Sequence, residues 1–169
     1  MGRTRFRHFV GTAFACVAAV AASSIGFAET AAQDRADFDA FLEKVTQAHA
    51  EYIRGRPEPF KALWSRASDV TIFGGFGSGE HGWDQVGPRL DWASTQFSEG
   101  SRAIERISSY VDGNLGYVVQ LERIHFKVPG RSEESLLELR VTMLFRKEGG
   151  AWRIIHRHGD SQMKRQGTR

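Results

Sequence analysis

Near the C-terminus the sequence reads Trp152-Arg153-Ile154-Ile155-His156-Arg157-His158-Gly159-Asp160. Two imidazoles and a carboxylate at every second position are groups that can move protons. Histidine titrates near neutrality, and a carboxylate can orient a neighbouring imidazole. Strand side chains alternate between faces with a period of two, so a strand here places Trp152, Ile154, His156, His158 and Asp160 on one side. Such a face starts apolar and ends polar, as where a sheet runs from a packed core into a pocket. His156, His158 and Asp160 are therefore the expected catalytic residues. The same His-x-His pattern offers two metal ligands, which His81 or His125 would complete to a three-histidine site. Two ligands constrain a site little, and neither a metal nor a cofactor is expected.

The other residues able to do chemistry are His81, His125, Tyr117 and Glu122. A small-molecule cavity needs aromatic walls and a few convergent polar groups. The expected ligand pocket therefore draws on Tyr52, Trp64, Phe73, His81, Trp83, Tyr117 and His125. His49 falls on an apolar helical stripe and reads as a core histidine. Arg140 and Arg157 have the opposite parity from their apolar neighbours. An even-numbered hairpin loop places them with Thr142, away from His156. An odd one brings Arg140 and Thr142 to the histidine face, where an anionic ligand becomes plausible. The reading preferred for these arginines is a solvated charged face shared with Glu138.

The elements that must position these groups follow from periodicity. From Asp34 to Arg54, Phe38, Phe41, Leu42, Val45, Ala48, Tyr52 and Ile53 recur at helical spacings, and Gly55 and Pro57 end the run. Pro59 opens a short helix over Phe60 to Ser65. Asp69 to Phe73 reads as a strand. The glycines at 74, 75, 77 and 79 lack the signature of a phosphate loop and read as a flexible turn at a pocket lip. A third helix is expected from Trp83 to about Ser98, kinked by Pro88, with Trp92 opposite its apolar stripe. Four strands follow, at 102–111, 115–128, 136–147 and 152–160. Asp112-Gly113-Asn114 and Glu148-Gly149-Gly150 join them into hairpins. Helices first and antiparallel strands later predict an α+β fold with helices on one sheet face.

The N-terminus reads as an export signal. Arg3, Arg5 and Arg7 precede an uncharged apolar run from Phe9 to Phe27, and small residues at Gly26 and Ala28 favour cleavage before Glu29. A cut after Ala32 is the second choice, and an uncleaved anchor is the competing reading. The chain has 23 basic and 20 acidic side chains; loss of the three arginines leaves 20 of each. That balance argues against a nucleic-acid partner. The lone cysteine, Cys16, leaves with the same segment, so neither a disulfide nor a thiol nucleophile is expected. Residues 34–161 are then one domain, followed by a polar tail at 162–169. The expected location is periplasmic or secreted, with no stable membrane insertion after cleavage.

Four motifs resemble the SnoaL-like branch of the nuclear transport factor 2-like superfamily: Ser68-Asp69-Val70-Thr71-Ile72-Phe73-Gly74, Gly82-Trp83-Asp84-Gln85-Val86, Leu139-Arg140-Val141-Thr142 and Trp152 to His158. The resemblance covers about Asp37 to Ser161. It implies a cone of three N-terminal helices packed on a curved, mostly antiparallel sheet, with a cavity at the open end. It also implies a small organic ligand and a homodimer through the sheet. Members include isomerases, cyclases, dehydratases, ligand binders and oligomerisation modules, so fold alone does not decide function. Ketosteroid isomerases of the superfamily carry a carboxylate base just after the first strand. Gly74 stands in that place here, which removes the group that mechanism needs. Two functions remain: a pocket protein, enzymatic through its histidines, and a non-catalytic binding or assembly module. The outer sheet face, with Ile155 between Arg153 and Arg157, and Trp92 are the expected dimer contacts.

Overall fold

The computed structural model describes residues 16–161, with side chains from residue 29 onward, Ser78 excepted. The arginine-rich start and the tail at 162–169 lie outside the described residues. Helix α1 (Cys16–Tyr52) runs continuously across the expected cut at Ala28. Among the described residues, no helix is long and apolar enough to cross a membrane.

The predicted stripe on α1 is the buried one. Phe38, Phe41, Leu42, Val45, Ala48 and Tyr52 are all in the core. Gly55 stops the helix: it adopts φ +80°, and a Cβ there would sit 3.3 Å from the Phe97 carbonyl oxygen. Helix α2 (Glu58–Lys61) is a single turn, shorter than predicted, and buries Phe60. Helix α3 (Trp83–Ser94) follows two strands rather than preceding the sheet, and contains Pro88. The three helices are therefore not a uniform N-terminal layer.

The strands are β1 (Thr71–Gly74), β2 (Gly77–His81), β3 (Ser98–Asp112), β4 (Leu115–Lys127), β5 (Glu134–Glu148) and β6 (Ala151–Ser161). They form one sheet in the order β2-β1-β6-β5-β4-β3, antiparallel except where β1 lies beside β6. The predicted α+β class holds. The glycine-rich segment differs from expectation, because its second half is strand β2, paired to β1 through Thr71–His81 and Ile72–Glu80.

One face of the sheet packs on the helices. Val118 and Ile124 of β4, Leu139, Val141, Met143 and Phe145 of β5, and Trp152 and Ile154 of β6 are buried there. Phe38 packs against Phe145 and Trp152 at ring distances of 5.3 and 4.9 Å. The opposite face is open, with Phe73, Tyr110, Tyr117, Leu136 and Leu144 exposed.

The decisive local feature lies in β6. Phe145 pairs with Ile154 and Leu144 with His156, so Ile155 is an extra residue in the ladder, a β-bulge. The turn Gly149-Gly150 has two residues, both at positive φ (56° and 81°), as a tight hairpin with two left-handed positions requires. The alternation that starts at Trp152 is therefore reset after Ile154.

Candidate active site

Because of the bulge, β6 turns Arg157 and Gly159 to the helix side and His156, His158 and Asp160 to the outer face. The single-face expectation for Trp152 through Asp160 is corrected accordingly. Arg157 is buried while His158 is exposed. A strict period of two would have reversed them.

On the helix side a cavity of about 50 Å³ opens between α1, α3 and the sheet. Its walls are largely apolar: Phe60, Ile72, Phe76, Leu90, Phe97, Ile124 and Leu139. Its polar groups are His49 and Tyr52 from α1, Arg89 from α3 and Arg157 from β6. Gly74 and Gly75 also line it, and nothing lies within 4 Å of where a Gly74 Cβ would be. The position where the resemblance implies a carboxylate base is thus a piece of bare backbone on the cavity wall.

Behind these groups is a buried ionic cluster. Glu122, on the inner face of β4, has a fully buried side chain. Arg157 grips it with two parallel hydrogen bonds, Nη1 to Oε1 at 3.1 Å and Nη2 to Oε2 at 3.0 Å. Gln120 Nε2 donates to Oε1 as well. Arg102 of β3 approaches the same carboxylate, with Nη1 3.5 Å from Oε1. Arg102 also donates to the Thr46 carbonyl at 3.3 Å and meets His49 Nδ1 at 2.7 Å. A guanidinium has only donors, so His49 Nδ1 must accept and the neutral ring carries its hydrogen on Nε2. His49 stacks on Tyr52 at 5.3 Å and meets Phe60 edge-on at 4.9 Å.

The electrostatics follow from burial. Desolvation holds the His49 imidazole well below its usual pKa, and the Arg102 guanidinium adds to the effect. Burial by itself would raise Glu122; the charge of Arg157, with Arg102 also contributing, outweighs it and holds the carboxyl well below the usual range. Burial pushes the Tyr52 phenol up. Around this cavity, then, Glu122 is pinned as an anion, His49 is neutral with Nδ1 engaged, and Tyr52 keeps its proton. The arrangement offers hydrogen-bond donors rather than a base.

Of the residues expected to form the pocket, Tyr52 lines the cavity. Trp64 is buried in the core next to Phe60. Trp83 lies at the start of α3 with the Arg66 guanidinium 3.6 Å from its ring centre. The others are elsewhere because of their strand parity. Tyr117 stacks on Tyr110 on the outer face, and His125 sits there opposite Glu134 at 3.3 Å. Phe73 and His81 lie on the outer face of β1 and β2, at the level of His158 and of Thr71 respectively.

The expected catalytic trio does come together, but on that outer face. His156 Nδ1 meets Thr71 Oγ1 at 2.7 Å, and Phe73 packs edge-on against both His156 and His158. Neither histidine shares a hydrogen bond with Asp160, whose carboxylate takes one from Arg140 at 2.6 Å instead. That bond holds Asp160 below the usual carboxylate range, while partial burial and His158 lower His156. Arg140 and Thr142 share this face, opposite Asp160 and His158, and Arg123 pairs with Glu138 beside them at 2.7 Å. Among the described residues, no group of three or more His, Cys, Asp or Glu side chains is placed to hold a metal ion.

Sequence reasoning does not find Arg102 or Gln120, reads His49 as core rather than site, and places Arg157 on a solvated charged face, whereas the bulge buries it. A signal for Glu122 was present in Val118-x-Gln120-x-Glu122-x-Ile124-x-Phe126, where alternation puts a carboxylate on an apolar face and so demands a buried cationic partner.

Comparison with known proteins agrees with this architecture. Among curated proteins, none matches the sequence. Among solved structures, a nuclear transport factor 2-like superfamily protein from Salmonella enterica serovar Typhimurium superposes with TM-score 0.62 at 17% identity, covering 74% of this chain and 91% of that one. A hexachlorocyclohexane dehydrochlorinase (LinA type 2) gives TM-score 0.63 at 12% identity, covering 78% and 89%. An uncharacterised protein with a cystatin-like fold from Caulobacter vibrioides gives 0.59 at 18%, covering 75% and 90%. At these identities the likeness is one of fold. The model of the SnoaL-like domain matches residues 42–163, from the buried half of α1 through β6, and the chain therefore belongs to the SnoaL-like family.

Proposed function

We propose that this chain is a small-molecule pocket protein whose site is the helix-side cavity, taking a small, partly apolar organic ligand. The observation that carries the reading is the make-up of that cavity. Aromatic and aliphatic side chains form most of the wall, while His49, Tyr52, Arg89 and Arg157 supply a few polar groups. That is the composition of a ligand site rather than of a packing defect, since a simple void would have no reason to adjoin a buried ionic cluster. His49 is the pocket histidine in this reading, and it acts as a donor. Such donors can hold or polarise a carbonyl oxygen. One family neighbour is named as a dehydrochlorinase, so the scaffold is compatible with catalysis. Among the described residues that line the cavity there is no carboxylate, so a reaction here would draw its base from the ligand or from water.

The setting belongs to the same proposal: an exported protein cut near Ala28, assembling as a homodimer through the outer sheet face. The second reading is a non-catalytic assembly module with a structural cavity. The many apolar side chains left open on the outer face favour it. Mass spectrometry of small molecules released from protein purified from its native host separates the two. The pocket reading expects one stoichiometric compound, displaced in His49→Phe. Protein that carries none, and that no member of a small organic library stabilises, overturns it.

A further inference from the structure

The charges around the cavity do not cancel. Arg89 is offset by Glu80, 3.5 Å from it; beyond that pair Arg157 and Arg102 each carry a positive charge, and Glu122 carries one negative charge. His49 is held neutral, so it adds nothing. The carboxylate that acts on Arg102 from within the cluster is Glu122, which Arg157 already grips with both oxygens. One unit of positive charge therefore remains, on side chains that are 5% and 7% exposed. Burying an uncompensated charge is costly, and folded proteins offset it with a counter-ion or with a function that uses it.

The residues that could use that surplus border the same cavity. His49 lines the cavity with Nδ1 occupied by Arg102, and its Nε2 hydrogen has no partner among the described residues. Tyr52 lies beside it with no hydrogen bond from its hydroxyl to a described residue. Arg157 is both cavity wall and cluster member.

We infer that the cavity selects organic anions, specifically small monocarboxylates whose apolar body lies against Phe60, Leu90 and Phe97 and whose carboxylate lies at the His49–Arg157 end. This deepens the pocket reading and rests on it. A monocarboxylate brings the charge of the enclosed cluster to zero. Its two oxygens match donors that at present have nothing to bind. A neutral isostere fills the same volume but leaves the surplus uncompensated. Arg102 does not line this cavity; it borders a separate small void beneath His49. It acts as a positioning residue, setting both the net charge and the tautomer of His49.

Isothermal titration of the full chain at pH 7.5 and low chloride tests this with matched acid and amide pairs small enough for a cavity of about 50 Å³: acetate and acetamide, propionate and propionamide, butyrate and butyramide. We expect the acid of at least one pair to bind about tenfold or more tightly than its amide, the margin of a charge-assisted over a neutral hydrogen bond. In Arg102→Gln the cluster becomes neutral, and the acid-to-amide ratio should fall toward one. Arg102→Lys should retain the preference. If acid and amide bind equally in the unmodified chain, the anion assignment falls and the pocket stands. If no member of any pair binds, the pocket reading falls with it. A folded Arg102→Gln with an unchanged ratio also overturns the assignment of the surplus charge. Should Arg102→Gln fail to fold, the ratio in the unmodified chain decides alone.

Discussion

Strand β6 carries two arginine–carboxylate pairs on opposite faces of one sheet. Arg157 holds Glu122 on the helix side, and Arg140 of β5 holds Asp160 on the outer side. The residue chemistry is nearly the same, but the surroundings are not. Glu122 and Arg157 are cut off from water, whereas Asp160 and Arg140 are about half exposed. In water the attraction of such a pair is nearly cancelled by hydration and side-chain entropy. In the interior the pair is held because neither partner can be removed alone without stranding the other. The inner pair is therefore structural and sits beside the cavity, and the outer pair is part of a wet surface.

The sharpest way to break this contrast is Arg157→Ala. It leaves Glu122 buried with the Gln120 amide as hydrogen-bond donor and Arg102, at 3.5 Å, as its remaining cation, and a loss of about 3–5 kcal/mol in chemical denaturation is expected. The triple variant Arg157→Met, Glu122→Met, Arg102→Met should recover much of that loss, since every charge of the cluster leaves together. A triple variant as unstable as the single one would show that packing rather than charge dominates.

The outer face gives the next effect. If it is a dimer surface, Leu144→Lys, placed between Tyr117 and His156 in the ladder, should convert a dimer to a monomer in light scattering at micromolar protein. Trp92 is 45% exposed, in contact with Phe76 and Arg89, so Trp92→Ala should weaken the dimer less. A monomeric unmodified chain would leave this face simply wet.

A smaller effect comes from pH. His49 has its folded pKa depressed, so below the ordinary histidine pKa of about 6.5 the unfolded chain takes up a proton that the folded chain refuses. Stability is then present above that pH and declines as pH falls through 6.5 toward 5. Glu122 adds a second decline below about pH 4.5, the ordinary glutamate range, because its folded pKa is also depressed. Thermal midpoints measured from pH 7.5 to 5 should drop in the unmodified chain and flatten in His49→Gln. An equal slope in both would remove His49 from the account. Smallest of all, Asp160→Asn should leave the thermal midpoint where it is, and a clear shift would mean that the outer pair is covered by something.

Much of the fold was legible in the sequence, and the site largely was not, for a physical reason. Long periodic signals, such as the α1 stripe from Phe38 to Tyr52 and the strand Leu137 to Phe145, are redundant: several residues in each vote for the same face. The hairpin turns at Gly113 and Gly149 were legible because positive φ restricts residue choice. Strand β2 was missed because Gly77-Ser78-Gly79 has no side-chain pattern; it exists through pairing with β1. The face of His156 and His158 depended on a single extra residue. Nothing in Ile154-Ile155 distinguishes a bulge from regular strand, and one residue inverts every assignment beyond it. Glu122 is a candidate by residue type, but its strand turns it into the core. His49 was correctly placed in the core, but its contact with Arg102 spans 53 residues of sequence and had no local trace.

The bulge at Ile155 also governs how the chain tolerates changes in length. A deletion of Ile155 alone would bring Ile154, His156 and Arg157 into ordinary alternation with Phe145, Leu144 and Met143, leaving every later side chain on its present face. Loss of one residue from His158 onward would instead carry Asp160 into the interior. Relatives one residue shorter at Ile155 can thus preserve the buried arginine and the cavity unchanged, whereas a gap three positions later changes which groups the cavity meets. When related chains are aligned, the position of a single gap in this strand decides whether their arginines and histidines are equivalent.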